Sequence, residues 1–279
     1  MSEFIAALPM YDWPEVRAET DALWAAIRDH LRGQGMDAPE RLARRNADMP
    51  AVPGGIRDAA GRIIAADPAT LPPDGFDIHT LWRHPKLLFA QTCWGPMETG
   101  LADHVRVVGQ PDYSAFEGGR GEEYSSAVLM RRGEIPPARL ASQAMLADPP
   151  HKGERGVPSP LDGSPVLPLE SLRGARFAYN GPDSMSGILT LSRDLAALGE
   201  SLGMFAGLVE TGAHRASVVA VAEGRADVCA VDCRTWSLIR RFEPAAAKVA
   251  VVGWSGRRKG LPYVASRSAP VYSVPTNLL

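Results

Sequence analysis

Hydrophobic residues in this chain fall into short blocks divided by turns. Phe4 to Leu8 is an apolar run that breaks at Pro9-Met10-Tyr11-Asp12. Val16, Leu23, Trp24, Ile27 and Leu31 then recur at helical spacing, and Gly33 and Gly35 close the helix. Asp12 with Glu15 three residues on predicts a capping box, with Pro14 in the first turn. A weaker strand signal covers Arg41 to Arg44. Phe76 to Arg83 reads as a short helix stopped by Pro85, and Leu87-Leu88-Phe89-Ala90, Val105 to Val108 and Ser125 to Met130 read as buried strands.

The alternation resumes at the strand Ala175 to Tyr179. A helix follows with Ile188, Leu191, Leu195 and Leu198 on one face, then the strand Phe205 to Val209. Thr211-Gly212-Ala213-His214 opens a helix that stops at Gly224. Ala226 to Val231 is a strand ending at Asp232, Thr235 is placed to cap a helix through Phe242, and Val249 to Val252 and Tyr263 to Ala265 complete the strands. Continuous apolar strands alternating with helices predict an α/β fold with a parallel sheet covered on both faces. Two stretches interrupt the pattern. Residues 46–75 hold five prolines and four glycines and predict an irregular connection or an extra hairpin, and 133–168, with eight prolines, predicts an exposed excursion.

Composition narrows the function classes. The 279 residues are 45% hydrophobic and 22% charged, enough for one large or two smaller globular domains. Thirty Lys and Arg against 32 Asp and Glu leave a net charge of −2, which argues against a phosphate-backbone binder. No apolar run is long enough to span a bilayer. Met1-Ser2-Glu3-Phe4 has no basic region ahead of an apolar core, so the expected location is the cytoplasm as the sequence stands, or the periplasm if a leader has been removed. Cys93, Cys229 and Cys233 form no CxxC pair and read as reduced structural thiols.

Catalytic and cofactor signatures are missing. Ser184 and Ser186 lack the glycines of a nucleophile elbow, and no Walker loop, dinucleotide fingerprint or HExxH occurs. The six histidines show no ligand spacing, so no metal and no cofactor are expected. Polar residues gather instead where strands end and helices begin, the place where open α/β sheets bind ligands. Asp183-Ser184-Met185-Ser186-Gly187 can grip an anion with hydroxyls and N–H groups, or can be an ordinary N-cap. His214 at its helix start is either an oxyanion donor or a surface cap. Tyr11, Tyr124, Asp232, Gln91 and Thr92 occupy similar strand ends, and each alone is equally a packing or capping residue.

Taken together the stretches Leu8-Pro9-Met10-Tyr11, Gln91-Thr92-Cys93, Tyr124-Ser125-Ser126, Asp183-Ser184-Met185-Ser186-Gly187, Thr211-Gly212-Ala213-His214 and Glu223-Gly224-Arg225-Ala226-Asp227-Val228 resemble the phosphonate/phosphite/phosphate-binding components of ABC transporters. The resemblance implies a type II periplasmic-binding-protein fold: two α/β lobes joined by two crossover strands that close on a small oxyanion. Lobe one would be 1–106 plus 254–279, and lobe two 107–253. It implies that Ser184, Ser186 and the N–H groups of Met185 and Gly187 hold ligand oxygens. Tyr11, Tyr124 and His214 would complete the cage, Gln91 and Thr92 would line it, and Asp232 would take a proton from the ligand or a tyrosine. An ABC permease or a sensor protein is the implied partner. Met185 stands where that loop commonly carries a hydroxyl, and Ala213 where serine is usual. Two alternatives stay open: an enzyme on the same scaffold using Cys93 in thiamine-precursor-like chemistry, and a ligand-sensing module for a partner chain.

Overall fold

A computed structural model describes residues 2–133, 156–275 and 278. The chain divides into two compact units, Met1–Pro111 with Leu261–Leu279, and Asp112–Gly260.

Unit 1 is built on a four-stranded sheet in the order β1 (Ile5–Ala7), β4 (Leu87–Gln91), β14 (Tyr263–Ser266), β5 (Val105–Gly109). β1 and β4 are parallel, and β14 runs antiparallel to β4 and β5. One face packs on α1 (Arg17–Gly33) through Trp24, Ile27 and Leu31, where Phe89 stacks on Tyr263 at 4.9 Å between ring centroids. Such a pair adds about 0.5–1.5 kcal/mol to its area burial. The other face is filled by Leu81 and Trp82 of α2 (Ile78–Arg83), Met97 of α3 (Trp94–Glu98), and Leu101. Both faces are dry, which is why β4 reads as an unbroken apolar run. Residues 46–75 do contain a hairpin, β2 (Ile56–Arg57) with β3 (Ile63–Ala65).

Unit 2 has a five-stranded sheet in the order β10 (Gly207–Glu210), β9 (Arg176–Tyr179), β11 (Val228–Asp232), β8 (Ser126–Arg131), β12 (Val249–Trp254). β10, β9 and β11 are parallel, while β8 is antiparallel to both of its neighbours. Helices α4 (Leu169–Leu172), α5 (Thr190–Ala197), α6 (His214–Ala222) and α7 (Cys233–Phe242) accompany it. A small sheet of β6 (Gly119–Arg120), β7 (Glu123–Tyr124) and β13 (Arg258–Lys259) completes the unit. Each main sheet thus holds parallel strands plus one inserted antiparallel strand, β8 or β14, that follows the chain's passage from the other unit. This is an α/β architecture in two units, with the chain passing from one unit to the other twice.

The units divide after Pro111 and Gly260. Several local sequence expectations are corrected. β5 continues to Gly109, and Ser255 to Gly260 stays bonded inside unit 2 through the Ser255 N–H to the Ser126 carbonyl and β13 to β7. Arg41 to Arg44 forms no strand, although the Ala43 N–H donates to the Ala6 carbonyl at 2.7 Å beside β1. Asp12 caps nothing because Arg44 takes its carboxylate at 2.6 Å. α5 ends at Ala197, which leaves Leu198 half exposed. The excursion 133–168 lies outside the described residues from 134 to 155. Its remainder runs along β12, with Val157 bonded to Val251 and Val166 bridged to Trp254.

Candidate functional site

The C-terminal ends of the parallel strands in unit 2, together with the start of antiparallel β8, carry most of the polar candidates. Asn180-Gly181-Pro182-Asp183 leaves β9 and leads into a wide π-type turn over Met185–Leu189. Both the Ile188 and Leu189 N–H groups reach back to the Ser184 carbonyl, at 3.2 and 3.1 Å. Such turns open the first N–H groups of a helix more than an α-turn does. Ser184 Oγ accepts the Gly187 N–H at 3.1 Å, and its own proton stays available to an acceptor. Glycine is required at 187, because a Cβ there would stand 2.0 Å from Asn180 Oδ1 and 2.8 Å from Ser184 Oγ.

Ser186, His214 and Asp232 are brought together from three elements. His214, the first residue of α6, lies with Nε2 2.9 Å from Ser186 Oγ and 3.9 Å from Asp232 Oδ2. Its side chain is 15% exposed. Burial lowers its pKa below the usual histidine range, opposed by the Asp232 charge and the Ala230 carbonyl, so the ring is neutral at pH 7. Asp232 ends β11 and is the N-cap of α7: its oxygens accept the Thr235 N–H at 2.8 Å and the Thr235 hydroxyl at 2.6 Å. The sequence leaves Thr235 and Asp232 both open as caps; the carboxylate at the strand end takes the role and Thr235 donates to it. Ser186 and Asp232 both address the same imidazole nitrogen, so this is not the relay of a hydrolase, in which the acid holds the opposite nitrogen.

The remaining candidates are spread more widely. Met185 is buried with its sulfur 3.5 Å from an Arg193 guanidinium nitrogen, so only its backbone can serve a ligand at that loop. Tyr124 is buried in unit 2, its ring 5.4 Å from that of Tyr113. Tyr11, Gln91 and Thr92 are buried in unit 1, where the Gln91 Nε2 and Thr92 Oγ1 atoms have no hydrogen-bond partner. Cys93, Cys229 and Cys233 are all reduced and buried, and burial pushes the Cys229 and Cys233 thiols up, away from nucleophilic use.

Sequence reasoning missed Ser125, Ser126, Asn180 and Thr190. Each holds a buried polar atom without a hydrogen-bond partner. Ser126 is directly opposite Asp232 across the β8–β11 ladder. Its only signal was a place in the Tyr124-Ser125-Ser126 stretch, at the start of an otherwise apolar strand. Among the described residues there is no cluster of metal-ligating groups and no helix long and apolar enough to cross a membrane.

Comparison with known proteins finds a family model that matches part of this chain. Residues 158–273 match the family described as the ABC transporter, phosphonate, periplasmic substrate-binding protein. That segment contains the Ser184–Gly187 loop, His214 and Asp232, and the resemblance carried by the motifs is to this family. No curated protein matches the chain. Among solved structures, a Prochlorococcus marinus protein in complex with methylphosphonate is similar at 17% identity and a TM-score of 0.47, over 67% of this chain and 59% of that one. A binding protein component of an ABC phosphonate transporter from Pseudomonas aeruginosa is similar at 15% identity and a TM-score of 0.47, over 68% and 54%. A Xanthomonas citri protein bound to ATP is similar at 14% identity and a TM-score of 0.44, over 68% and 62%. The matched part spans somewhat more than half the length of each of these proteins.

Proposed function

We propose that this protein is a non-enzymatic solute-binding protein whose ligand is a small phosphorus oxyanion, namely phosphate, phosphite or a phosphonate. The observation that carries the reading is the Ser186–His214 contact at 2.9 Å, set on the wide helix start at Ser184–Gly187, inside the segment that matches the phosphonate-binding family. Ser184 and Ser186 supply hydroxyls, the Met185 N–H supplies a backbone donor, and His214 supplies a ring nitrogen. Tyr124 is the further proposed ligand-facing residue of unit 2, and Tyr11, Gln91 and Thr92 are the polar residues that the same resemblance singles out within unit 1. Delivery of the anion to an ABC permease is the role that follows from the family.

Calorimetric titration with methylphosphonate, 2-aminoethylphosphonate, phosphate, phosphite and sulfate tests this. Protein first stripped of bound ligand by unfolding and refolding is expected to bind one of the phosphorus compounds saturably. Ser186→Ala and His214→Ala are each expected to weaken that binding about 10- to 100-fold, from about 1.5–3 kcal/mol per charge-assisted bond. Equal affinity in folded wild type and both variants would remove this loop from the site.

A further inference from the structure

An oxyanion on the Ser184–Gly187 loop meets a charge conflict. His214 stands between Ser186 and Asp232, 2.9 Å from the hydroxyl and 3.9 Å from the carboxylate. Asp232 is 2% exposed and is held in place by two bonds from Thr235. An anion beside Ser186 therefore adds negative charge near the same imidazole nitrogen that the carboxylate already faces. Like charges in a partly buried site repel strongly unless a cation separates them.

The neighbouring cations have contacts of their own. Arg215, next on α6, is paired with Glu243 at 2.8 Å, and Arg258 is paired with Asp194. Arg234 of α7 lies over the Phe116 ring, and Arg193 of α5 contacts the Met185 sulfur on the loop itself. Glu210 at the end of β10 accepts from Tyr179 of β9 at 3.3 Å. Asp183 is half-buried on the loop itself, and the Cys233 thiol beside Asp232 is pushed up and stays neutral. The charge that acts on the His214 ring is that of Asp232.

We propose that the loop takes up its oxyanion together with one proton carried by His214, so that Asp232 and His214 select a doubly charged ligand. This rests on the oxyanion reading. In the ligand-free protein burial keeps the ring neutral. With the anion bound, the imidazolium Nε2–H donates to the Ser186 oxygen, whose own proton turns to the ligand, and the positive ring faces the Asp232 carboxylate, which turns repulsion into a bridge. A singly charged or zwitterionic carboxylate gains less from that proton and is discriminated against.

Two measurements test it. The first is calorimetry with sulfate and methylphosphonate in buffers of different ionisation enthalpy, from about pH 6 to about pH 8.5. With the ligand's own titration subtracted, close to one proton is expected per anion bound. Affinity should fall about tenfold for each unit of rising pH between the ring's ligand-free and ligand-bound pKa values. The second is an NMR titration of the His214 ring without ligand, expected to fall below the free-histidine value of about 6.5.

His214→Asn should abolish proton uptake. Asp232→Asn keeps a residue equally able to cap α7. It should reduce the uptake to well under one proton and raise affinity about tenfold near pH 8.5, where a merely structural Asp232 would give weaker binding at every pH. Binding without net proton uptake, or a ligand-free ring that titrates at or above the ordinary value, overturns the inference alone. Silence from every probe in folded protein overturns the oxyanion reading, and this inference with it.

Discussion

Gly187→Ala is the sharpest single test of how the anion loop is built. The added Cβ would lie 2.0 Å from Asn180 Oδ1 and 2.8 Å from Ser184 Oγ, where van der Waals contact begins near 3.4 Å. Asn180 Oδ1 has no hydrogen-bond partner to lose, so the amide can swing aside. Overpacking of this kind costs about 1–3 kcal/mol, and the low end applies when one short side chain yields. Ser184 Oγ is less free, because it holds the Gly187 N–H at 3.1 Å. Moving it opens the cap and turns two proposed ligand donors out of position. The expected result is therefore lopsided: about 1 kcal/mol less stability by urea denaturation, but at least about tenfold weaker methylphosphonate binding by calorimetry. Gly181→Ala, in the same loop, is the control, since its Cβ meets only Asp183 Oδ1, at 3.6 Å. Equal losses of affinity in the two variants, or a Gly187→Ala protein that binds like wild type, would refute the claim that this turn positions the donors.

Two further predictions concern stability. His84 is buried, contacts the Pro50 carbonyl at 2.9 Å and accepts the Lys86 N–H, and burial lowers its pKa. The unfolded chain then protonates first, so His84 contributes stability that is complete above about pH 6.5 and lost as pH falls through the window below it. His214 is shifted in the same sense. Urea midpoints from about pH 7.5 to about pH 5 should fall less steeply in His84→Gln than in wild type, and parallel slopes would remove His84 as the source. On α5, Leu195→Ala should cost about 2–5 kcal/mol and Leu198→Ala under about 0.5, because Leu195 is 0% exposed and Leu198 49%. Similar costs at the two positions in urea unfolding would mean that the helix face is assigned wrongly.

The strands were the most legible part of the fold, and the reason is physical. β4, β11 and β12 are buried throughout, and up to the terminal Gln91 of β4 and Asp232 of β11 no charged or amide side chain interrupts them. Competition between side chains was not legible. Asp12 looked like a helix cap until Arg44, 32 residues away, took its carboxylate. Asp232 and Thr235 were both candidate caps, because either type can cap a helix, and only the fold shows that Asp232 takes the role. The grouping of Ser186, His214 and Asp232 followed from the family motifs, since three elements bring them together and no spacing along the chain encodes that. The π-type turn at Met185–Leu189 has no signature in Met-Ser-Gly-Ile-Leu. Ser126 was overlooked because a lone hydroxyl in an apolar strand reads as filler.

The buried polar groups of unit 2 sort themselves by whether their bonds are complete. Asp194 is 5% exposed at its side chain, yet its two oxygens accept the Gly256 N–H at 2.8 Å and the Arg258 guanidinium at 2.5 Å. It fastens α5 to the segment that follows β12, and removing it would strand both donors, at about 3–5 kcal/mol. Ser125, Ser126, Asn180 and Thr190 are as well buried or nearly so, and each has a polar atom left over. A fold under pressure for stability alone would lose by keeping them, since an unmade buried bond costs about 1–3 kcal/mol and alanine at Ser126 would extend the Ala127-Val128-Leu129 run. These residues stand at the start of β8, the end of β9 and the start of α5, and Ser126 is the ladder partner of Asp232. Unit 1 has the same pattern, in Gln91 and Thr92 at the end of β4 and in Gln110 just after β5. Several of the incomplete bonds thus stand at strand ends, the place where open α/β sheets bind ligands, while the complete bonds of Asp194 hold elements together. That contrast is the physical ground for proposing a polar ligand at these strand ends.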